Sequence, residues 1–200
     1  MSPLPNATPH RTTQTTRTVT GEGRVTAYRA LAAVVWAVAF VAAVGDRVPT
    51  THTDMPVVAA ILLATYPLID VVASTITAAS ATSMARVLRV NAGISAVAAV
   101  AIAVAAFAGH AGAALAAFGI WAAASGAIQF GVAVVRRRAA GGQWTMLISG
   151  GLSTVAGIGF LSAAGMEDAD LARLGAYMAF GAVLYVVSTI RRPAGLRVSR

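Results

Sequence analysis

Residues 90–135 read VNAGISAVAAVAIAVAAFAGHAGAALAAFGIWAAASGAIQFGVAVV, 46 residues without one Asp, Glu, Lys or Arg. One membrane-spanning helix needs about 20 apolar residues, so this stretch is long enough for two with a tight turn between them. The turn falls at Gly109-His110-Ala111-Gly112, where two glycines permit the chain to reverse. Arginines bracket the pair, Arg86 and Arg89 before it and Arg136, Arg137 and Arg138 after it.

The flanking sequence divides in the same way. Ala30 to Gly45 is uncharged between Arg29 and Asp46 and predicts a first helix. A second runs from about Met55 to Ala79, interrupted only by Asp70. The uncharged stretch Ala139 to Met166 holds a fifth helix, and about Leu171 to Ile190 a sixth, with Arg173 able to snorkel from its outer end. The first apolar run ends Ala42-Ala43-Val44-Gly45, but its length and the polar tail before it read as a span rather than a cleaved signal. Residues 1–24, polar and rich in Thr, Arg and Pro, read as a disordered cytoplasmic tail, and 193–200 as a cytoplasmic basic tail.

The composition agrees. Of 200 residues, 58% are hydrophobic and 11% charged, against about 25% charged in an ordinary soluble domain. So much apolar surface needs a bilayer as its second solvent. The net charge of +8 does not point to nucleic acid, because the arginines flank apolar runs as topology signals. With an inside N-terminus, thirteen of the fifteen arginines fall on the cytoplasmic side, and only Arg47 and Arg173 fall outside. Both termini are then cytoplasmic, in the plasma membrane of a bacterium whose Arg-only, Ala- and Val-rich usage fits a GC-rich genome. The absence of Cys excludes disulfides and thiolate chemistry.

The predicted fold is therefore all-α: a polytopic membrane bundle of six transmembrane helices in three repeated hairpins, at about 27–79, 88–135 and 143–190, within a domain spanning 25–192. The repeat is visible in Tyr66, Trp121 and Tyr177, separated by 55 and 56 residues. A shift of 55 also pairs Asp70 with Ser125 and Ser74 with Gln129. Arg29 to Val34 overlays Arg89 to Ile94 with a shift of 60, and Gly93-Ile94-Ser95 overlays Gly151-Leu152-Ser153 with a shift of 58.

Two stretches, GIWAAASGAIQFGVAVVRRR at 119–138 and WTMLISGGLSTVAGIGF at 144–160, resemble the short-repeat bacterial membrane proteins of unknown function that include the HdeD-like acid-resistance proteins. The resemblance covers about Thr26 to Arg192 and implies six spans built from repeated hairpins. It also implies a role in acid stress for some members, and no site residues. The segment YPLIDVVAS in the second helix departs from the more apolar pattern of the rest.

Asp70 is the only carboxylate within a span. A central Asp costs about 2.5–3.5 kcal/mol on insertion scales, so it should face the bundle. Tyr66, Asp70, Ser74 and Thr77 share one helical stripe, and Ser125 and Gln129 repeat its centre on the fourth helix. Asp70, Ser74, Ser125 and Gln129 form the candidate intramembrane polar site. Three roles stay open for it: a structural carboxyl hydrogen-bonded to neighbouring helices, a proton or ion relay, and a substrate contact. Arg29 and Arg89 read as headgroup anchors within possible reach of Asp70, and Pro67 stands ready to kink the helix beside it.

Small residues mark the packing faces: Ser149, Ser153 and Gly157 on the fifth helix, widened by Gly150 and Gly151, and on the fourth Ala122, Gly126 and Phe130 with Gly119 and Ser125 alongside. Trp144 occupies a belt position, whereas Trp36 and Trp121 read as packing residues. His10, His52 and His110 lack metal-ligand spacing, and no P-loop, HExxH, nucleophile elbow or dinucleotide fingerprint occurs. The expected protein is no enzyme and takes no cofactor or metal. Its partners are lipid and, undetermined from sequence, a second copy or another membrane protein. A structural or interaction role in envelope maintenance leads, and a small proton-coupled permease using the Asp70 face is the alternative.

The topology is testable. Reporter fusions after Gly45, His110 and Gly165 should behave as external, and those after Ser83, Ala140 and Arg200 as cytoplasmic. A cytoplasmic signal after His110 would mean that the uncharged stretch is not two spans.

Overall fold

The computed structural model describes residues 28, 31–43, 52, 54–80, 84–136, 144–166 and 172–190. The tails at 1–24 and 193–200, Arg29, Arg47, the acidic segment 167–170 and the side chain of Arg173 lie outside the described residues. The described chain is all-helical. Six helices follow one another: α1 (Leu31–Ala43), α2 (Val57–Ser80), α3 (Ala85–Ala108), α4 (Ala111–Arg136), α5 (Trp144–Ala163) and α6 (Ala172–Ile190).

Helices α2, α3, α4 and α5 are each long and apolar enough to cross a membrane, and α1 is a shorter apolar helix. Their outer surface is unlike that of a soluble domain. Val97 is 71% exposed, and Val38, Val100 and Val155 are also among many large apolar side chains on the outside. The polar Asp70, Ser74, Asn91, Ser95 and Ser125 are buried instead. Water on that outer surface would make the arrangement costly, whereas hydrocarbon makes it favourable. The apolar helices thus fit a membrane. Trp144, 73% exposed at the start of α5, suits a place at its edge.

The long uncharged stretch breaks where expected, but for a different reason. Only Gly109 and His110 separate α3 from α4, and Gly112 already lies buried within α4. Gly109 has φ −117°, which any residue adopts, so backbone freedom is not what the turn needs. It needs room: a Cβ at Gly109 would sit 2.7 Å from the Ala105 carbonyl oxygen. His110 completes the turn by accepting the Ala113 N–H at Nδ1 (3.3 Å), satisfying one of the orphan donors at the start of α4.

Among the described residues of α2 to α6, packing is most extensive between α4 and α5 and between α2 and α3. These pairs straddle the boundaries of the expected hairpins rather than falling within them. Glycine explains the first pair. Gly119 and Gly126 on α4 stand seven residues apart, two helical turns, and so do Gly150 and Gly157 on α5. In the antiparallel pair Gly119 meets Gly157 and Gly126 meets Gly150: a Cβ on Gly119 would lie 2.7 Å from the Gly157 carbonyl, and one on Gly126 2.8 Å from that of Gly150. Helices in lipid gain little from burying apolar surface on one another, so such backbone approach is what holds them. Ser153 sits in the same seam and donates to the Ala122 carbonyl (3.1 Å).

The core is completed by Phe40 of α1, Leu63 of α2, Ile102 of α3, Phe118 of α4, Phe160 of α5 and Met178 of α6. Pro67 is buried within α2. In the turn preceding it, Thr65 Oγ1 donates to the Ile61 carbonyl (2.7 Å) and Trp36 Nε1 of α1 to that of Leu62 (3.2 Å). The carbonyl that Pro67 deprives of its helical N–H is that of Leu63, so these bonds do not replace it; the Trp36 bond instead ties α1 to α2.

Replacing Ser153 by Leu should destabilise the bundle by about 1–3 kcal/mol, because bulk enters a seam without space. Val134→Leu, on a half-buried part of α4, should cost far less. Detergent melting of the two purified variants checks this, and equal melting temperatures would mean that α5 turns its small-residue face to lipid.

Candidate functional site

Lipid offers a carboxylate no hydrogen bonds, so Asp70 must obtain them from other helices. It is 9% exposed, and its Oδ2 accepts from Asn91 Nδ2 at 2.6 Å, Ser95 Oγ at 3.0 Å and Ser125 Oγ at 3.3 Å. Asn91 and Ser95 belong to α3 and Ser125 to α4, so one oxygen ties three helices together. The second Asn91 amide hydrogen reaches Ser74 Oγ (3.1 Å), and Trp121 Nε1 donates to Ser95 Oγ (3.0 Å).

The pattern has a simple origin in helix geometry. Each helix supplies two polar groups four residues apart, Asp70 and Ser74, Asn91 and Ser95, Trp121 and Ser125. Residues at that spacing share a face one turn apart, so the pairs meet as two stacked layers. Asp70 offers acceptors to Asn91, so the amide nitrogen must face it. Asn91 Oδ1 then points away, buried and without a hydrogen-bond partner among the described residues.

The four expected site residues are therefore not equivalent. Asp70 and Ser125 touch directly, and Ser74 joins them through Asn91. Gln129 lies one turn further along α4 and makes none of the hydrogen bonds to Oδ2, although it lines the same cavity as Asp70. Thr77 donates back to the Ala73 carbonyl of its own helix (2.7 Å). Arg89 is exposed, as suits a headgroup anchor. The partners that sequence reasoning did not assign are Asn91 and Ser95. They are the only polar side chains of α3 beyond its opening arginines, one turn apart, and that isolation was the available signal.

Beside the network lies a cavity of about 70 Å³, bounded by residues of α1, α2, α4, α5 and α6. Its wall carries the Asp70 carboxyl, the Ser125, Ser149 and Ser153 hydroxyls and the Gln129 amide. Aromatic rings form another part of its wall. Tyr66, Trp121 and Tyr177 each pack against Phe118, at ring-centre distances of 5.9, 5.2 and 5.9 Å, and Phe160 completes the cluster. Trp121, read from sequence as a packing residue, also donates its indole N–H into the polar network. Ser153 spends its proton on Ala122, so Tyr177 must be the donor in the 2.6 Å contact between their hydroxyls.

His52 and His110 approach to 6.3 Å between ring centres. Among the described residues no group of three or more His, Cys, Asp or Glu side chains comes together to hold a metal.

Compared with protein-family models, with curated proteins and with solved structures, the chain matches none of them.

Proposed function

We propose that this chain is a six-span bundle of the bacterial cytoplasmic membrane, in three repeated hairpins with both termini inside, and that it serves envelope maintenance or stress tolerance as a structural or interaction protein. The acid-stress element of that reading comes from the HdeD-like resemblance of 119–138 and 144–160. The observation that carries the structural role is the use made of Asp70: Oδ2 is occupied by donors from α3 and α4. A carboxyl held in this way fixes the rotation of α2, α3 and α4 about their axes. Slipping any one of them would leave buried donors unpaired, at about 1–3 kcal/mol each.

Asp70→Asn keeps an acceptor oxygen and the side-chain shape, so it should melt close to the parent protein and restore tolerance to acid or detergent in a deletion strain. Asp70→Leu strands the Asn91, Ser95 and Ser125 donors and should lower stability by several kcal/mol, with loss of complementation. An Asp70→Asn protein that is stable yet fails to complement would displace the structural reading.

The cavity favours a second reading, a small proton-coupled permease or carrier, because Asp70 and Gln129 share its wall with three serines. Vesicles holding the purified protein separate the two. Under the structural reading an imposed pH gradient decays as it does in empty vesicles, and under the carrier reading it collapses faster.

A further inference from the structure

Two side chains on the wall of the cavity carry hydrogen-bonding groups that the described protein does not use. They are Gln129 of α4 and Ser149 of α5, and neither the carboxamide nor the hydroxyl bonds to another described residue. Gln129 precedes Arg136 by seven residues, about 10 Å along α4, and Ser149 follows Trp144 by five, about 7.5 Å along α5. At that depth hydrocarbon supplies neither donor nor acceptor. An amide without a partner there is costly, so its partner is to be sought in the cavity.

The unused groups describe that partner. A carboxamide offers two N–H donors and a carbonyl acceptor, and a hydroxyl both donates and accepts, so the guest must do both as well. It is also uncharged. None of the described residues lining the cavity is basic, so an anion finds no counter-charge. Asp70 is the one carboxylate on the wall, but its Oδ2 already receives Asn91, Ser95 and Ser125, and the residue is engaged further. That carboxyl is not at a cation's disposal.

Size narrows the choice. A cavity of about 70 Å³ is under half of the ~150 Å³ that accepts benzene in an apolar core, so it holds roughly five waters or one solute of a few heavy atoms. Each ordered water is a separately immobilised molecule, and one solute that reproduces their hydrogen bonds returns them to bulk. A primary amide is such a solute, because its N–H and C=O edge pairs with the same edge of a carboxamide through two hydrogen bonds.

We propose that this cavity is a binding site for a small neutral amide of the size of urea or formamide, paired with the Gln129 carboxamide and the Ser149 hydroxyl. The site names the kind of solute that a carrier would move, yet it does not rest on the carrier reading. A scaffold can hold the same guest, and binding is measured apart from the decay of a pH gradient.

The test uses the full-length protein in a maltoside detergent, titrated with urea at concentrations too low to unfold it. The reporters are two NMR signals from the cavity wall, the Gln129 side-chain amide, assigned by its loss in Gln129→Met, and the Trp121 indole N–H. Urea and formamide should shift both saturably. Acetone, which has the shape of urea without its N–H groups, and guanidinium, which has the shape with a positive charge, should leave them in place. Ser149→Ala should weaken urea binding roughly two- to tenfold, and Gln129→Met, read at Trp121, roughly tenfold or more, with both variants melting close to the parent. Signals indifferent to urea would mean that the cavity holds water alone, and would overturn the proposal. So would an equal response to acetone or guanidinium, or undiminished urea binding by both variants. Should Gln129→Met fail to fold, Ser149→Ala decides: full affinity places the amide elsewhere and overturns the site, and weakened affinity supports it.

Discussion

A carboxyl group placed among apolar helices must be given its hydrogen bonds by the protein, because hydrocarbon gives none. In this chain that requirement is met at Asp70 Oδ2 by an amide and two hydroxyls arriving from two other helices. Much of the arrangement of α2, α3 and α4 follows from it. The depth of each donor sets how far its helix slides along its axis, and the direction of each sets how far the helix turns. An apolar seam would tolerate small slips in either sense, and a carboxyl with convergent donors does not.

Helix α4 stands at the centre because it carries both means of association. One side presents Trp121 and Ser125 to the Asp70 network, and the other presents Gly119 and Gly126 to α5. The two sides act through different physics. Polar contacts with α2 and α3 are directional and specify register, while the glycine seam draws backbones close enough for dispersion to hold them. Phe118 lies between, meeting Tyr66 of α2, Phe160 of α5 and Tyr177 of α6, so that apolar filling links the two halves.

The cavity is a consequence of the same construction. Large rings fill the bundle around Phe118, whereas the wall of the cavity also carries the short side chains Ser125, Ser149 and Ser153. The void that results is polar, because short polar residues were needed there for close packing and for Asp70.

Sequence by itself determined the all-helical class, the apolar runs long enough to cross a membrane, the break between α3 and α4, and the inward burial of Asp70. Each of these is a property of a continuous stretch: its length, its charge, or the cost of one ionisable side chain in lipid. It also marked a small-residue face on α4 and another on α5, since helical periodicity fixes which residues align, but not that the two faces meet. Tertiary structure alone decided which polar side chains meet Asp70. Ser125 and Gln129 were equally good candidates on α4, and only the axial offset between α2 and α4 admits Ser125 to the network and leaves Gln129 on the cavity wall. The same holds for Asn91 and Ser95, whose helix can turn either toward α2 or toward lipid as far as hydropathy is concerned. Lateral partnership depends on the rotation and offset of whole helices, which are set by many weak contacts at once and leave no local mark on any one stretch of sequence.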